Sequence, residues 1–359
     1  MAGVYISYPF CRQKCTFCNF ASGVFSAEAR RRYEQALLNE VRGYRWDWQP
    51  ETLYFGGGTP SLMPFELLRD LLGAVPREQL RETTLECAPG TVTAEAAEFW
   101  TACGINRVSL GVQSFVTTEL RATGRHHDAE IVDQEIGILR NAGIENINID
   151  LIAGLPGQTN DSWRCSLDWI ERLAPPHVSV YIFEVDEDSR LGEEILRGGA
   201  RYGAGAVPSE DLTAEFYETA VDRLAALGIV RYEISNFARD GFESRHNLKY
   251  WRLEPYIGFG VDAHSFDGGH RWSNPDTLAA YFERPGGMRS AAEHGQERFF
   301  VGLRMMRGIE PTRDEWSRFA QPIEKWLHAG MLERDDTRLR LSRHGVLVSN
   351  EIFQDFIDA

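Results

Sequence analysis

Eight residues near the start of the chain, Cys11-Arg12-Gln13-Lys14-Cys15-Thr16-Phe17-Cys18, put three thiols on one short loop. Three thiolates at this spacing can ligate three irons of a cubane cluster and leave the fourth iron without a protein ligand. Structural iron–sulfur and zinc sites usually close with four ligands, so an open iron is a place where a small molecule can chelate. A zinc knuckle completed by a distant histidine is the competing reading. A second segment, Gly56-Gly57-Gly58-Thr59-Pro60, lets the backbone approach a ligand closely, and consecutive amides there can receive a carboxylate. A plain tight turn would use the same residues. Farther along, Glu86 and Asp150 stand at expected strand ends, Gln113 and Ser114 follow another, and Arg125 lies in the connection after that strand.

These groups need elements to position them. Apolar, β-rich runs are expected as strands at 4–7, 52–55, 83–87, 107–110, 146–151 and 178–183. Between them, helical spacing predicts helices at 26–44, 64–72, 94–102, 129–142 and 161–173, the first capped by Ser26. Six strand–helix repeats argue a parallel α/β sheet, open or curved into a partial barrel, with ligands at the carboxyl ends of the strands. The stretch 197–208 reads as a loop, followed by a helix at 209–227 and a strand at 229–234. Pro285-Gly286-Gly287 marks a further break. The tail reads as helices at 291–306, 313–319 and 323–329, a hairpin from 331–334 to 338–341, and a helix from His344. The expected division is a barrel over 1–200, a mixed α/β extension over 201–287 and a small winged-helix-like domain over 288–359.

Composition narrows the function classes. Lys and Arg number 38 against 53 Asp and Glu, a net charge of −15, which opposes non-specific binding to nucleic acid. The winged-helix-like tail is therefore expected to serve as a lid or interaction domain. No run of eighteen apolar residues suggests a transmembrane helix, which leaves only peripheral membrane contact. The opening residues lack the charged leader and apolar stretch of a signal peptide, and the six cysteines are not spaced as a disulfide framework. A cytoplasmic location is expected. Cys87, Cys103 and Cys165 read as small buried residues, and His126-His127 as part of a solvated connection.

The cysteine spacing on the first of six strand–helix repeats resembles the radical S-adenosylmethionine superfamily. That resemblance implies a partial (βα)6, TIM-like barrel and a 4Fe-4S cluster on Cys11, Cys15 and Cys18. S-adenosylmethionine would chelate the open iron and be cleaved to a 5′-deoxyadenosyl radical. The wording is narrower still. Tyr5-Ile6-Ser7-Tyr8-Pro9-Phe10-Cys11, and the stretches 55–62, 106–115, 148–159 and 232–238, resemble the oxygen-independent coproporphyrinogen III oxidase family over nearly the whole chain. Departures from the family pattern are Ser7, where His is common, and Ala88, where Asn is usual. Matched by motif, the family's S-adenosylmethionine contacts fall on Tyr5, Phe17, Gly57, Gly58, Thr59, Glu86, Gln113, Arg125 and Asp150.

Within that family three features resemble its heme-chaperone branch more than its oxidase branch. The cluster begins at residue 11, without the oxidase's long extension. Cys18 is followed by Asn19-Phe20, where the oxidase has glycine and a further cysteine. His246-Asn247-Leu248-Lys249-Tyr250-Trp251 matches the motif associated with heme binding in the chaperones, which implies heme as bound cargo with His246 and Tyr250 near it. The implied partners are heme and heme-accepting proteins. The rival function is oxidative decarboxylation of coproporphyrinogen III. Whether any substrate is turned over stays open at this point.

Overall fold

The computed structural model of the chain describes residues 2–284, 286–292 and 294–357. Pro285 of the expected break lies outside the described residues. Six strand–helix units open the fold: β1 (Ala2–Tyr8), α1 (Ala27–Gly43), β2 (Pro50–Gly57), α2 (Phe65–Ala74), β3 (Glu82–Cys87), α3 (Ala94–Cys103), β4 (Arg107–Gln113), α4 (Thr117–Ala122), α5 (Ala129–Asn141), β5 (Asn146–Ala153), α6 (Asn160–Leu173) and β6 (His177–Ile182). The six strands pair in parallel in chain order. Ser26 caps α1 by accepting from the Ala29 amide, and Tyr33, Leu37 and Val41 bury one face of that helix against the sheet.

Each strand alternates strictly. Val4, Ile6, Leu53, Phe55, Val108, Leu110, Ile147, Ile149, Val178 and Val180 point to the helices and are fully buried. The residues between them are Tyr5, Thr52, Tyr54, Thr84, Glu86, Arg107, Ser109, Asn148, Asp150, His177 and Ser179. A parallel sheet covered by helices on both faces would be apolar on both. Here one face is polar, as the lumen of a partial barrel must be when it holds a polar ligand. Residues from β2 to β6 line one cavity, which shows the curvature directly.

The next stretch contains α7 (Arg190–Leu196), α8 (Glu210–Ala226), β7 (Val230–Arg231), β8 (Asn236–Ala238), α9 (Arg245–Trp251), β9 (Tyr256–Phe259), β10 (His264–Phe266), β11 (His270–Ser273), α10 (Leu278–Glu283) and β12 (Ser290–Ala291). Its strands do not build a separate sheet. β9 joins β1 in parallel and β8 joins β6 antiparallel, giving one twelve-stranded mixed sheet. The tail follows as α11 (His294–Gly302), α12 (Arg313–Arg318), α13 (Ala320–His328), β13 (Leu332–Asp335), β14 (Arg338–Leu341) and α14 (Ser349–Ile357). Phe299, Phe319 and Phe356 form its core, with ring centroids 4.5 Å and 4.7 Å from Phe299.

Several local expectations need correction. The expected strand at 229–234 is split: only Val230–Arg231 pairs, with β8, while buried Glu233 makes an isolated bridge to Met305. The expected loop at 197–208 contains a 3-10 turn over Arg201–Ala206. Ala291 ends a strand, and the helix after it begins at His294. The last helix begins at Ser349, with turns over the preceding residues from His344. Cys87 is buried as expected, but Cys165 is exposed on α6. Among the described residues, no helix is long and apolar enough to cross a membrane.

Candidate functional site

The cysteine loop leaves the end of β1 and is held in place by main-chain bonds. The Cys11 amide donates to the Gly23 carbonyl at 2.9 Å, and the Thr16 amide to Thr123 at 3.1 Å. The Leu191 amide returns to the Thr16 carbonyl at 2.8 Å. Cys11, Cys15 and Cys18 are all free and half-buried, and all three line one cavity. Burial pushes the Cys11 thiol up, while hydroxyls of Thr59 and Ser22 pull it back. Three thiolates on one cavity wall can each take a different iron of a cubane.

That cavity has a volume of about 580 Å³, a size suited to a drug-sized or nucleoside-sized ligand. Phe17, Gly57, Gly58, Thr59, Glu86, Gln113, Arg125 and Asp150 line it together with the cysteines. The structure thus brings together every expected S-adenosylmethionine contact except Tyr5, while His246 and Tyr250 lie outside this cavity. Tyr5 stands at the inner wall, stacked on Tyr54 with ring centroids 6.0 Å apart.

Main-chain geometry decides how the glycine segment can meet a ligand. The Gly57 amide donates to Glu86 Oε2 at 3.2 Å. Gly58 and Thr59 donate to the Tyr8 and Phe10 carbonyls at 2.9 and 3.0 Å. These amides are not available to a carboxylate. The segment still lines the cavity, and the Thr59 carbonyl accepts from the Leu62 amide at 3.0 Å.

Two carboxyls form the polar end of the cavity. Glu86 accepts from Tyr54 Oη at 2.9 Å as well as from Gly57, yet burial raises its pKa to about 7. Asp150 is also pushed up by burial and accepts from Asn148 at 2.7 Å and Ser109 at 3.2 Å. Asp150 does not end its strand as expected: β5 runs on to Ala153. On the opposite side Gln113 adopts a left-handed φ of 70°, at the last residue of β4. Arg125 donates to the Gly111 carbonyl at 2.5 Å, but its buried Nε has no partner. An unmatched guanidinium donor on a cavity wall fits an anionic ligand group. His127 is not solvated as expected. It is buried, hydrogen-bonded to the Val112 carbonyl at 3.1 Å, and burial lowers its pKa to about 4.

A polar layer beneath Asp150 was not singled out from sequence. Asn148 bridges Asp150, Ser109 and His177, and His177 Nε2 lies 2.9 Å from Tyr232 Oη. Arg107 is 2% exposed, and its positive charge acts to lower the pKa of both Glu86 and Asp150. The signal was available in the alternation of polar residues along the strands.

The segment 246–251 lies at the other end of the barrel. Glu82 accepts from the Arg245 and His246 amides, both at 2.9 Å, and Ser244 caps α9. His246 Nδ1 is 2.8 Å from Thr52 Oγ1, and Nε2 is 2.7 Å from Tyr250 Oη. Burial lowers the His246 pKa to about 3, so the ring is neutral with both nitrogens engaged. Both residues expected near a porphyrin, His246 and Tyr250, are thus hydrogen-bonded to each other here. They hold α9 against β1 and β2.

Comparison with known proteins agrees with this architecture. Residues 5–170 match the Radical SAM superfamily and residues 290–348 the HemN C-terminal domain. The chain is 32% identical to the heme chaperone HemW of Lactococcus lactis, over 98% of this chain and 96% of that protein. It is also 32% identical to the heme chaperone HemW of Bacillus subtilis, over 99% of each. The solved structure of coproporphyrinogen III oxidase (HemN) from Escherichia coli superposes with a TM-score of 0.82. At 20% identity, it covers 99% of this chain and 89% of that one.

Proposed function

Because this chain belongs to the radical SAM superfamily, and within it to the HemW family of heme chaperones, we propose that it binds heme and passes it to acceptor proteins. It does so while keeping a cluster and S-adenosylmethionine site. The observation that carries the cofactor half is the meeting of three cysteines with Glu86, Arg125 and Asp150 in one cavity. The donor set fits the group: three thiols of one short loop face the cavity, and the Arg125 guanidinium lines it as well. When bound, the cluster supplies an electron and an open iron that together cleave the sulfonium of S-adenosylmethionine.

The chain's own residues bind and orient. Cys11, Cys15 and Cys18 hold the cluster on its stapled loop. Carbonyl oxygens of the Gly57–Thr59 segment receive the methionyl ammonium, and Arg125 receives the carboxylate. Asp150 and Glu86 offer acceptors to ribose hydroxyls, with Gln113 and Phe17 bounding the nucleoside. Tyr5 braces the wall through Tyr54. Full-length likeness to the chaperones, with residues 246–251 intact, carries the heme half. The acceptors, and a cytoplasmic place of action, belong to the same proposal.

The oxidase alternative makes a distinct demand, since it must convert two propionates to vinyl groups. Cluster-loaded protein incubated anaerobically with S-adenosylmethionine, reductant and coproporphyrinogen III is expected to give no vinyl product by mass spectrometry. Steady accumulation of the divinyl product would place the chain with the oxidases.

A further inference from the structure

A second cleft, of about 400 Å³, opens between the last turn of α9 and the C-terminal helices. Trp251, Leu253, Met305 and Ile309 make its apolar side. Its polar side carries Arg252, Arg298, Arg307 and Arg338 against one acid, Glu310. In a chain with net charge −15, this is a local inversion of charge.

The arginines are unequally matched. Arg338 pairs with Glu310, and Arg298 pairs with Glu315 at 2.9 Å. Arg252 has only a distant partner, Glu254 at 3.9 Å, and among the described residues no ion pair involves Arg307. Burial and the neighbouring guanidiniums of Arg252 and Arg338 hold Arg307 below its ordinary range. Behind this wall Arg304, which does not line the cleft, sits 4.5 Å over the Trp251 ring and fixes its plane. Crowded cations beside an apolar wall suit a ligand that is flat, apolar and anionic at one edge.

We propose that this cleft is the heme-docking site, its apolar wall against the macrocycle and Arg252, Arg307 and Arg338 against the two propionates. The assignment rests on the chaperone reading and gives that function a place. It also gives the 246–251 segment a task without an iron–imidazole bond. The Thr52–His246–Tyr250 chain fixes the helix whose end presents Trp251 and Arg252 to the cleft. The volume is at the small end for an organic ligand, so the propionate edge is held and the rest of the ring stays accessible, as cargo must.

The test is a Soret titration of the wild type and of Arg252→Glu/Arg307→Glu, with heme and with heme dimethyl ester. Both arginines are exposed, and S-adenosylmethionine binding in the variant serves as the control for folding. The wild type should prefer heme to its ester. The double variant should bind heme about tenfold more weakly or worse and lose that preference. Equal heme affinity in wild type and variant overturns the cleft assignment while leaving the chaperone reading intact. No heme binding by the wild type overturns both.

Discussion

Replacing Cys11, Cys15 and Cys18 together with alanine removes the iron–sulfur cluster entirely. Anaerobic reconstitution of the wild type should load about four irons and four sulfides per chain. The triple variant should return to background in both, with its charge-transfer absorption gone. The loop itself should survive, because it is stapled through main-chain groups: Cys11 to Gly23, Thr16 to Thr123, and Leu191 to Thr16. Loss of metal with an unchanged far-ultraviolet spectrum therefore separates ligation from folding. A full complement of iron in the triple variant contradicts the assignment of these thiols.

The second large effect is expected at Gly57. Its φ of 108° is one that L side chains rarely adopt, and a Cβ there would lie 3.1 Å from Ser7 Oγ and 3.3 Å from the Tyr8 amide. Valine, branched at that carbon, must swing the peptide away from Glu86 and so move the carbonyls that face the ligand. Strain of about 1–2 kcal/mol drives that movement, and the displaced contacts to the ligand, worth about 1.4 kcal/mol, convert to roughly a tenfold loss. Gly57→Val should bind S-adenosylmethionine about tenfold more weakly or worse by calorimetry while retaining its cluster absorption. Unchanged affinity would show that the glycine segment does not meet the ligand.

The barrel strands were legible because buried apolar positions mark them: β-branched Val4, Ile6, Ile147, Ile149, Val178 and Val180 on three strands, and Leu53, Phe55, Leu85, Val108 and Leu110 on the other three. Their polar partners were harder to use. Thr52, Arg107, Asn148 and His177 look unremarkable singly, and only their shared alternation shows a polar lumen. The cysteines and Glu86 were found because type and position coincide at strand ends, and Arg125 because it stands in the connection between the fourth and fifth strands. The use of the glycine amides was not readable, since it depends on where the Tyr8, Phe10 and Glu86 oxygens come to lie. The surroundings of His246 were hidden for the same reason: only tertiary contacts show both ring nitrogens bonded, to Thr52 and Tyr250. The second cleft joins residues 251–253 to residues 298–338, a pairing that no local pattern announces.

The central claim is that this radical SAM chain carries heme. Its most direct test is an anaerobic titration of the purified, cluster-loaded wild-type protein with heme, followed in the Soret region and checked by gel filtration. The account predicts saturation near one heme per chain, a shifted Soret band, and heme that co-elutes with the protein. A spectrum equal to the sum of free heme and protein, with the heme left behind on the column, would contradict it.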